Sequence, residues 1–367
     1  QAFTDPLVEC KICHQRFRAD HEEILKEHEQ SHKGKKVECT EPRKFNLLVE
    51  ASLGVVEGAK SKVYLRGEIT QGVHVNFKNV LNSTRVKVPF GIAQIGKAFR
   101  NEITPGNFTF RSREFEQMEL QFYVKPEESE KWFTYWKEQR MKWYISLGMD
   151  KDKLRFRQHE EDERAHYAKD AWDIEYDSPF GWKEFEGIHN RGDWDISQHQ
   201  KHSGEDMTYF DQAENKKYLP YIIETSGGVD RATLFFLVNA YEEDGERIVL
   251  KLNPKLAPYK AAVFPLLGNK PELTKKAKEV YQNLKKELQL PIAWDDRGNI
   301  GKRYFSQDES GTPFCITVDF ETIDDGAVTV RNRDTSRQDR IKISSLTKYI
   351  SEGIKQESPF LKNSPQK

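Results

Sequence analysis

The sequence predicts an α+β protein with more than one domain, in which a small α/β domain follows a larger one. The chain has 367 residues, more than an average single domain contains. Strand-like runs separated by turn residues precede helical patterns between residues 45 and 241, whereas strand and helix alternate between residues 249 and 354. Aromatic residues make up 12% of the chain, which supplies bulk for a core and excludes global disorder.

Composition restricts the class of partner and the compartment. The 58 basic and 59 acidic side chains give a net charge of −1, so any nucleic acid must be bound by local patches. No run approaches the roughly 18 apolar residues of a membrane-spanning helix, and no signal-peptide pattern opens the chain. Four cysteines in a chain of this length do not form a disulfide scaffold. We therefore expect a cytoplasmic protein that has no contact with a membrane.

We expect four segments along the chain: residues 1–44, 45–245, 246–354 and a flexible tail at 355–367. The first is short of apolar runs, and its residues Glu22–His32 read as a charged helix. In the second, alternation and turn residues predict strands, and helical spacing predicts helices. Its strands are Val73–Phe77, Gly91–Phe99 and Gln117–Val124, and its helices are Glu127–Leu147 and Val229–Tyr241.

The third segment follows an acidic, glycine-containing linker at residues 242–248. Leucine, alanine, valine and tyrosine recur at helical spacing from Leu273 to Leu288, and a second helix covers Leu346–Ile354. The order of elements predicts a largely parallel sheet. Its strands are expected within Ala261–Leu267, Pro313–Phe320 and Ala327–Val330.

Residues 90–124 predict a long-looped antiparallel hairpin that carries converging charges. On its returning strand Met118, Leu120 and Phe122 share the core face, while Gln117, Glu119 and Gln121 form a polar floor on the other. Arginine binds oxyanions in a planar fork, so guanidiniums above a floor of carboxylates suit a zwitterion or a phosphate beside a cation. The alternative is a solvated hairpin whose charges neutralise one another. The guanidiniums belong to Arg100, Arg111 and Arg113.

Two further segments carry weaker signals. In residues 221–237 a strand ends at Glu224, a Ser-Gly-Gly turn follows, and a helix begins near Val229 with Arg231 in its first turn. Such a junction can present N–H groups to an anion, although a plain structural turn explains it equally well. In residues 65–77, Arg66 and Glu68 precede a predicted buried strand, and the arginine can simply be the partner of the acid.

Together these segments resemble the glycyl-tRNA synthetases, a family of class II aminoacyl-tRNA synthetases. FRNEITPGNFTFRSREFEQMEL resembles motif 2, ETSGGVDR resembles motif 3, and LRGEITQGVHVNFKN resembles a pocket segment in which the family has Pro, Thr and Ala in place of Gly67, Ile69 and Thr70. The resemblance runs from about Asp5 to Ile350. It implies an antiparallel catalytic sheet with flanking helices, followed by an α/β anticodon-binding domain.

The resemblance also implies a reaction: glycine attacks the α-phosphate of ATP, assisted by Mg²⁺, and the adenylate passes glycine to the 3′ end of tRNA(Gly). Arg100 and Arg231 are the implied catalytic residues, and Phe115 is the implied platform under adenine. Glu184 and Glu224 are implied neighbours of ATP and its magnesium, and Glu68 and Glu119 are implied to bind the glycine ammonium. The implied ATP-binding group is Arg100, Asn101, Glu102, Phe110, Arg111, Arg113, Phe115, Glu184, Phe185, Gly228, Asp230 and Arg231. The implied glycine-binding group is Glu68, Phe115, Glu116, Gln117, Glu119, Glu224, Ser226 and Gly228.

The N-terminal segment contains a candidate structural zinc site. Cys10 and Cys13 are followed by His28 and His32 in the pattern C-x2-C-x14-H-x3-H, which lies within zinc-site spacing. Some bacterial members of the family carry a second CxxC pair in this region, which histidines would replace here. Cys39 is a spare candidate. The alternative is two free thiols and two histidines on a solvated helix.

Other expectations concern tRNA and the oligomer. Basic residues of the third segment are usually solvated, but the resemblance makes some of them candidate anticodon contacts: Lys302, Arg303, Arg331 and Arg333, with Tyr304 as a stacking partner. The resemblance implies a homodimer formed through motif 1, for which we find no convincing match. A non-catalytic accessory protein that binds nucleic acid, or a class II synthetase for another amino acid, remains an alternative.

Overall fold

The computed structural model of the chain describes residues 4–19, 22–33, 37–55, 58, 60–161, 163–164 and 168–355. The predicted tail, apart from Lys355, lies outside the described residues. The helices, in chain order, are α1 Glu22–Ser31, α2 Thr70–Val75, α3 Phe77–Thr84, α4 Ser129–Ser146, α5 Trp194–Ser203, α6 Val229–Ala240, α7 Pro271–Leu288, α8 Ile300–Glu309, α9 Phe320–Asp325 and α10 Ile343–Lys355.

The strands, in the same order, are β1 Thr4–Glu9, β2 Arg16–Arg18, β3 Arg43–Asn46, β4 Glu50–Leu53, β5 Ser61–Tyr64, β6 Phe90–Phe99, β7 Glu114–Val124, β8 Leu154–Gln158, β9 Asp170–Ser178, β10 Gly181–Gly192, β11 Tyr209–Asp211, β12 Lys216–Tyr218, β13 Tyr221–Gly228, β14 Tyr241–Asp244, β15 Arg247–Leu250, β16 Ala261–Pro265, β17 Ile292–Trp294, β18 Phe314–Val318, β19 Ala327–Asn332 and β20 Gln338–Lys342. The chain divides into two compact units, one of residues 1–138, 156–176 and 180–234, the other of residues 139–155, 177–179 and 235–367. No helix among the described residues is long and apolar enough to cross a bilayer.

A six-stranded sheet forms the centre of the first unit, with strand order β6-β7-β13-β10-β9-β8. Strand β7 pairs antiparallel with β6 and β13, and β13 pairs antiparallel with β10. The predicted hairpin of residues 90–124 is confirmed, since its two strands are β6 and β7. The register places Ser226 opposite both Glu119 and Gly187, so polar positions from three strands form a row across one face.

The polar face of β7 is more deeply buried than its apolar face. Phe122 packs against Trp132 and Trp136 of α4, with ring centroids 5.0 and 5.2 Å away. Polar side chains occupy the opposite face, and Glu119 and Gln121 are only 5% and 0% exposed. The predicted polar floor therefore lies deeper in the protein than a solvent-facing row, and each of its polar groups needs an internal partner.

The predicted strand Val73–Phe77 is wrong, because this segment forms α2 and the start of α3. Valines at alternate positions suggested a strand, but Val75 is 60% exposed. The buried positions Thr70, Val73, His74 and Phe77 recur at the spacing of a helix face. Two of them are polar, which hid the helical period from an analysis of apolar residues alone.

The second unit contains a five-stranded sheet with order β17-β16-β18-β19-β20. The first three strands are parallel, but β18, β19 and β20 pair antiparallel, so the expectation of a largely parallel sheet is only half right. A six-residue helix, α9, joins β18 to β19, and the chain returns beside the strand it has just left. The buried face of α7 covers the sheet with Leu273, Ala277, Val280 and Leu284.

Residues 242–248 do not form the predicted linker. They belong to a hairpin in which β14 pairs with β15. Arg247 is 9% exposed, and its Nη1 lies 3.2 Å from Asp308 Oδ2. This charged, glycine-containing segment is therefore packed into the second unit, because Arg247 has the buried Asp308 as its partner.

Candidate functional site

A cleft of about 370 Å³ lies over the polar face of the six-stranded sheet, within the first unit. Most of the residues that the resemblance implied line it. From the implied ATP group these are Arg100, Glu102, Phe110, Arg111, Phe115, Glu184, Gly228, Asp230 and Arg231. From the implied glycine group they are Glu68, Phe115, Gln117, Glu119, Glu224, Ser226 and Gly228.

Four of the implied residues do not line this cleft: Asn101, Arg113, Glu116 and Phe185. Phe185 is 0% exposed and belongs to the core. Arg113 Nε donates to the backbone oxygen of Glu102 at 3.2 Å, and the backbone N–H of Glu116 donates to Asp230 Oδ2 at 2.8 Å. Through these bonds Arg113 and Glu116 hold two residues that do line the cleft, Glu102 and Asp230.

Arg191 forms ion pairs with two buried acids, Glu224 and Asp195. Its Nη1 lies 3.0 and 2.9 Å from the two carboxylate oxygens of Glu224, while its Nε and Nη2 contact Asp195 at 2.7 and 3.0 Å. Burial by itself would raise the pKa of Glu224, but Arg191 and a hydrogen bond with His189 outweigh it and hold that pKa well below its usual range. Glu224 is therefore ionised, although it is only 3% exposed.

Glu119 has polar partners but no cation among the described residues. Thr70 Oγ1 donates to its Oε2 at 2.8 Å, and Ser226 Oγ donates to its Oε1 at 3.1 Å. The amide of Gln121 lies 2.6 Å from Glu224 Oε2 and 3.4 Å from Glu119 Oε2, so the two acids share one donor. Burial, reinforced by the charge of Glu224, raises the pKa of Glu119 to about 8. An added cation at this position would relieve the repulsion.

Guanidiniums and aromatic rings form the other part of the cleft. Arg100 lies 5.5 Å from the centre of the Phe115 ring, and its Nε donates to the backbone oxygen of Gly67. Arg231 lies 4.4 Å from the centre of the Phe110 ring and 3.2 Å from Glu184 Oε2. Cations beside flat rings suit a ligand that carries both phosphate and a purine base.

Several residues of the cleft were missed by the sequence analysis: Thr70, His159, Asp173, Gly187, His189 and Arg191. Gly187 and His189 are two residues apart on β10 and lie opposite Ser226 and Glu224 of β13. The two-residue spacing, which puts side chains on one face of a strand, was the available sequence signal. It was not used because residues 181–192 contain few apolar positions that mark a strand. Arg191 lies between Asn190 and Gly192, where the pairing register of β10 with β13 shifts. No sequence pattern reveals such a shift.

The four predicted zinc ligands lie together near the N-terminus. The ligand atoms of Cys10, Cys13, His28 and His32 are all within 4.8 Å of one another. Cys13 Sγ is 3.5 Å from His28 Nε2, which is 3.2 Å from His32 Nε2. Zinc bonds of about 2.3 Å to sulfur and 2.0 Å to nitrogen place tetrahedral ligands about 3.3–3.8 Å apart, so the cluster fits zinc. Cys39, the spare candidate, pairs with Cys10 through the backbone and is outside this cluster.

Three of the predicted anticodon contacts are buried within the second unit. Arg303 and Arg333 are 2% and 1% exposed, and both donate to backbone oxygens. Arg331 makes a two-pronged pair with Asp308, at 2.8 and 3.0 Å. Their donors are used inside the domain, so these arginines stabilise it and do not present charge to tRNA. Lys302 is exposed, and Tyr304 shares a hydrogen bond with Thr317.

Two family models match the chain. Residues 55–240 match the class II core domain of the tRNA synthetases for G, H, P, S and T, and residues 260–353 match the anticodon binding domain. Among curated relatives, glycine–tRNA ligases from Caldanaerobacter subterraneus and Clostridium acetobutylicum are each 50% identical over 96% of this chain and 82% of their own length. The glycine–tRNA ligase from Borreliella burgdorferi is 51% identical over 95% of this chain and 79% of its own length.

Proposed function

This chain belongs to the glycine–tRNA ligase family of class II synthetases and joins glycine to tRNA with ATP, and from this premise we propose a role for the residues of its cleft. The relatives named above are ligases, so they lend no support to a non-catalytic accessory protein or to a synthetase for another amino acid. The assignment of individual residues rests on the contacts described above.

Glycine binds at the two buried acids, with its ammonium between Glu119, Glu224 and Ser226. The observation that carries this assignment is Glu119 beside an ionised Glu224, since Glu119 has no positive charge as a partner among the described residues. An ammonium supplies that charge and three donors. Glu68 also lines the cleft, and its burial raises its pKa. Glycine has no side chain, so its charged groups must supply the affinity and crowding must exclude larger amino acids.

ATP binds beside glycine, with its phosphates toward Arg100, Arg111 and Arg231. Adenylate formation concentrates negative charge on the α-phosphate, and fixed guanidiniums stabilise that charge without reorganising. Phe115 is the platform for adenine, and Glu102 also lines the cleft. Mg²⁺ would supply further positive charge when bound, and Glu184, which lines the cleft, would help to hold it.

The first experiment is glycine-dependent exchange of labelled pyrophosphate into ATP, with alanine and serine as controls. We expect exchange with glycine and at least about 100-fold less with alanine, because a methyl group must enter a site closed by buried side chains. Equal exchange with alanine would contradict the proposed glycine site. A mass by light scattering tests the homodimer that we also propose from the family.

The affinity for glycine is expected to rise with pH. Glu119 has a pKa of about 8 in the free site, and the bound ammonium lowers it, so the complex holds fewer protons and higher pH favours binding. The KM for glycine should fall by about tenfold per pH unit from about pH 6 and level off near pH 8. The measurement is pyrophosphate exchange at saturating ATP.

Two variants isolate the source of this pH dependence. Glu119→Gln removes the titrating group and should flatten the profile, whereas Glu114→Gln, on the same strand and 59% exposed at its side chain, should leave it unchanged. A profile that stays steep in Glu119→Gln would assign the dependence to another group.

We further propose that Cys10, Cys13, His28 and His32 bind a structural zinc ion. The site offers four ligands and so leaves no open position for catalysis. Purified protein is expected to contain one zinc per chain by elemental analysis. Cys13→Ser should lose most of it, because one thiolate ligand is gone, whereas the matched change Cys39→Ser should keep it. Equal zinc in both variants would exclude this ligand set.

A further inference from the structure

One end of the cleft has no assigned ligand. His159, Asp173 and Gly187 line it, and neither the glycine contacts nor the phosphate contacts proposed above use them. The register shows where this end lies: Glu119 is opposite Ser226, and Ser226 is opposite Gly187. Asp173 belongs to β9, the next strand of the sheet. The row of polar positions therefore continues past the glycine site by two strands.

Asp173 presents an unused acceptor to this space. The residue is 7% exposed, and its Oδ2 lies 2.8 Å from His159 Nε2. Its other oxygen, Oδ1, receives no hydrogen bond from the described residues and lies 3.6 Å from the position that a Cβ on Gly187 would take. A buried carboxylate oxygen directed into a cleft requires a donor, which a ligand can provide.

Gly187 keeps the space in front of Asp173 open. A Cβ at this position would lie 2.8 Å from His189 Cε1, so His189 would have to shift and the added side chain would occupy part of the cleft. The missing side chain leaves a path over the sheet from Ser226 to Asp173. Adjacent strands are about 4.8 Å apart, so Asp173 lies about 10 Å from Ser226.

The distance limits what can bind Asp173. A glycine whose ammonium contacts Glu119 and Ser226 is too short to reach it. The donors left on the substrates of this reaction are mainly hydroxyl groups of ribose, in ATP and at the 3′ end of tRNA. Hydroxyl groups donate well to a carboxylate, and a histidine paired with that carboxylate fixes its orientation.

We propose that Asp173 binds a ribose hydroxyl over Gly187 and that His159 is a positioning residue that orients Asp173. This subsite rests on the proposed function, because the ribose must belong to a substrate of the ligase. The hydroxyl belongs either to ATP or to the terminal adenosine of tRNA, and the same carboxylate chemistry serves both.

The test compares ribose with deoxyribose in each half-reaction. Glycine-dependent pyrophosphate exchange is measured with ATP, 2′-deoxy-ATP and 3′-deoxy-ATP, and glycine transfer is measured with tRNA whose terminal adenosine has or lacks the 2′-hydroxyl. In the unaltered protein we expect kcat/KM to fall about 10- to 100-fold for the substrate that lacks the bound hydroxyl. In Asp173→Asn that difference should shrink to about threefold or less.

The two arms identify the source of the hydroxyl. If Asp173→Asn loses the discrimination only between ATP and its deoxy analogues, the subsite belongs to ATP. If it loses the discrimination only in glycine transfer, the subsite belongs to tRNA. His159→Ala should reduce the discrimination and His159→Gln should restore part of it, because the amide can still donate to Asp173. Asp177→Asn, an exposed position on the same strand, serves as the control and should discriminate like the unaltered protein.

The proposal is overturned if Asp173→Asn discriminates against the deoxy substrates as strongly as the unaltered protein in both arms. It is also overturned if the unaltered protein does not discriminate at all. Failure of the proposed function is distinct, because the unaltered protein would then show no glycine-dependent exchange with ATP itself. Circular dichroism of each variant separates a lost contact from a lost fold, and the two His159 variants repeat the test if Asp173→Asn does not fold.

Discussion

Replacing Arg100 with alanine is expected to slow glycine-dependent pyrophosphate exchange by about 10³-fold or more. The guanidinium lines the cleft beside Phe115, and its Nε donates to the backbone oxygen of Gly67. Charge that develops on the α-phosphate then has one fewer fixed cation. The measurement is kcat/KM for ATP in the exchange reaction at saturating glycine.

Arg66→Ala is the matched control for this prediction. Arg66 is exposed, lies on the segment before α2, and donates to the backbone oxygen of Lys97 without lining the cleft. We expect it to change exchange by less than about threefold. If Arg100→Ala exchanged pyrophosphate as fast as Arg66→Ala does, the α-phosphate would have to be held by other groups.

Replacing Arg191 with methionine is expected to destabilise the protein by about 3–5 kcal/mol and to abolish exchange. Arg191 is 2% exposed and is paired with Glu224 and Asp195, so methionine deprives two buried carboxylates of their guanidinium. Breaking a buried ion pair in this way costs more than removing the whole pair, because the orphaned charges stay in a medium of low polarity. The measurement is the free energy of unfolding in urea.

A second variant separates lost charge from lost packing. In the Arg191→Met background, Asp195→Asn removes one of the stranded charges and should recover part of the stability, although Glu224 still lacks its guanidinium. Asp195→Asn alone should be destabilising, because Arg191 then keeps only one acid. If the double variant were no more stable than Arg191→Met alone, packing and not charge would explain the loss.

Sequence patterns predicted the elements whose signal is local. Strands β6 and β7 alternate between apolar and polar residues, and α7 repeats its apolar residues with a helical period. The CxxC and HxxxH pairs act within a few residues of each other, and the structure brings all four ligand atoms together. The pattern failed at Val73–Phe77 and at residues 242–248, where burial of polar side chains by distant partners decided the conformation.

The sequence alone determined the main arginines and acids of the cleft and the family they indicate, because motifs 2 and 3 are continuous segments. Tertiary structure decided how those acids are charged. Arg191 reaches Glu224 across a strand pair and leaves Glu119 without a cation, and Gly187 opens a path to Asp173 on a further strand. Charge and free space in the site depend on residues far apart in the chain, and only folding brings these within the few ångströms over which such interactions act.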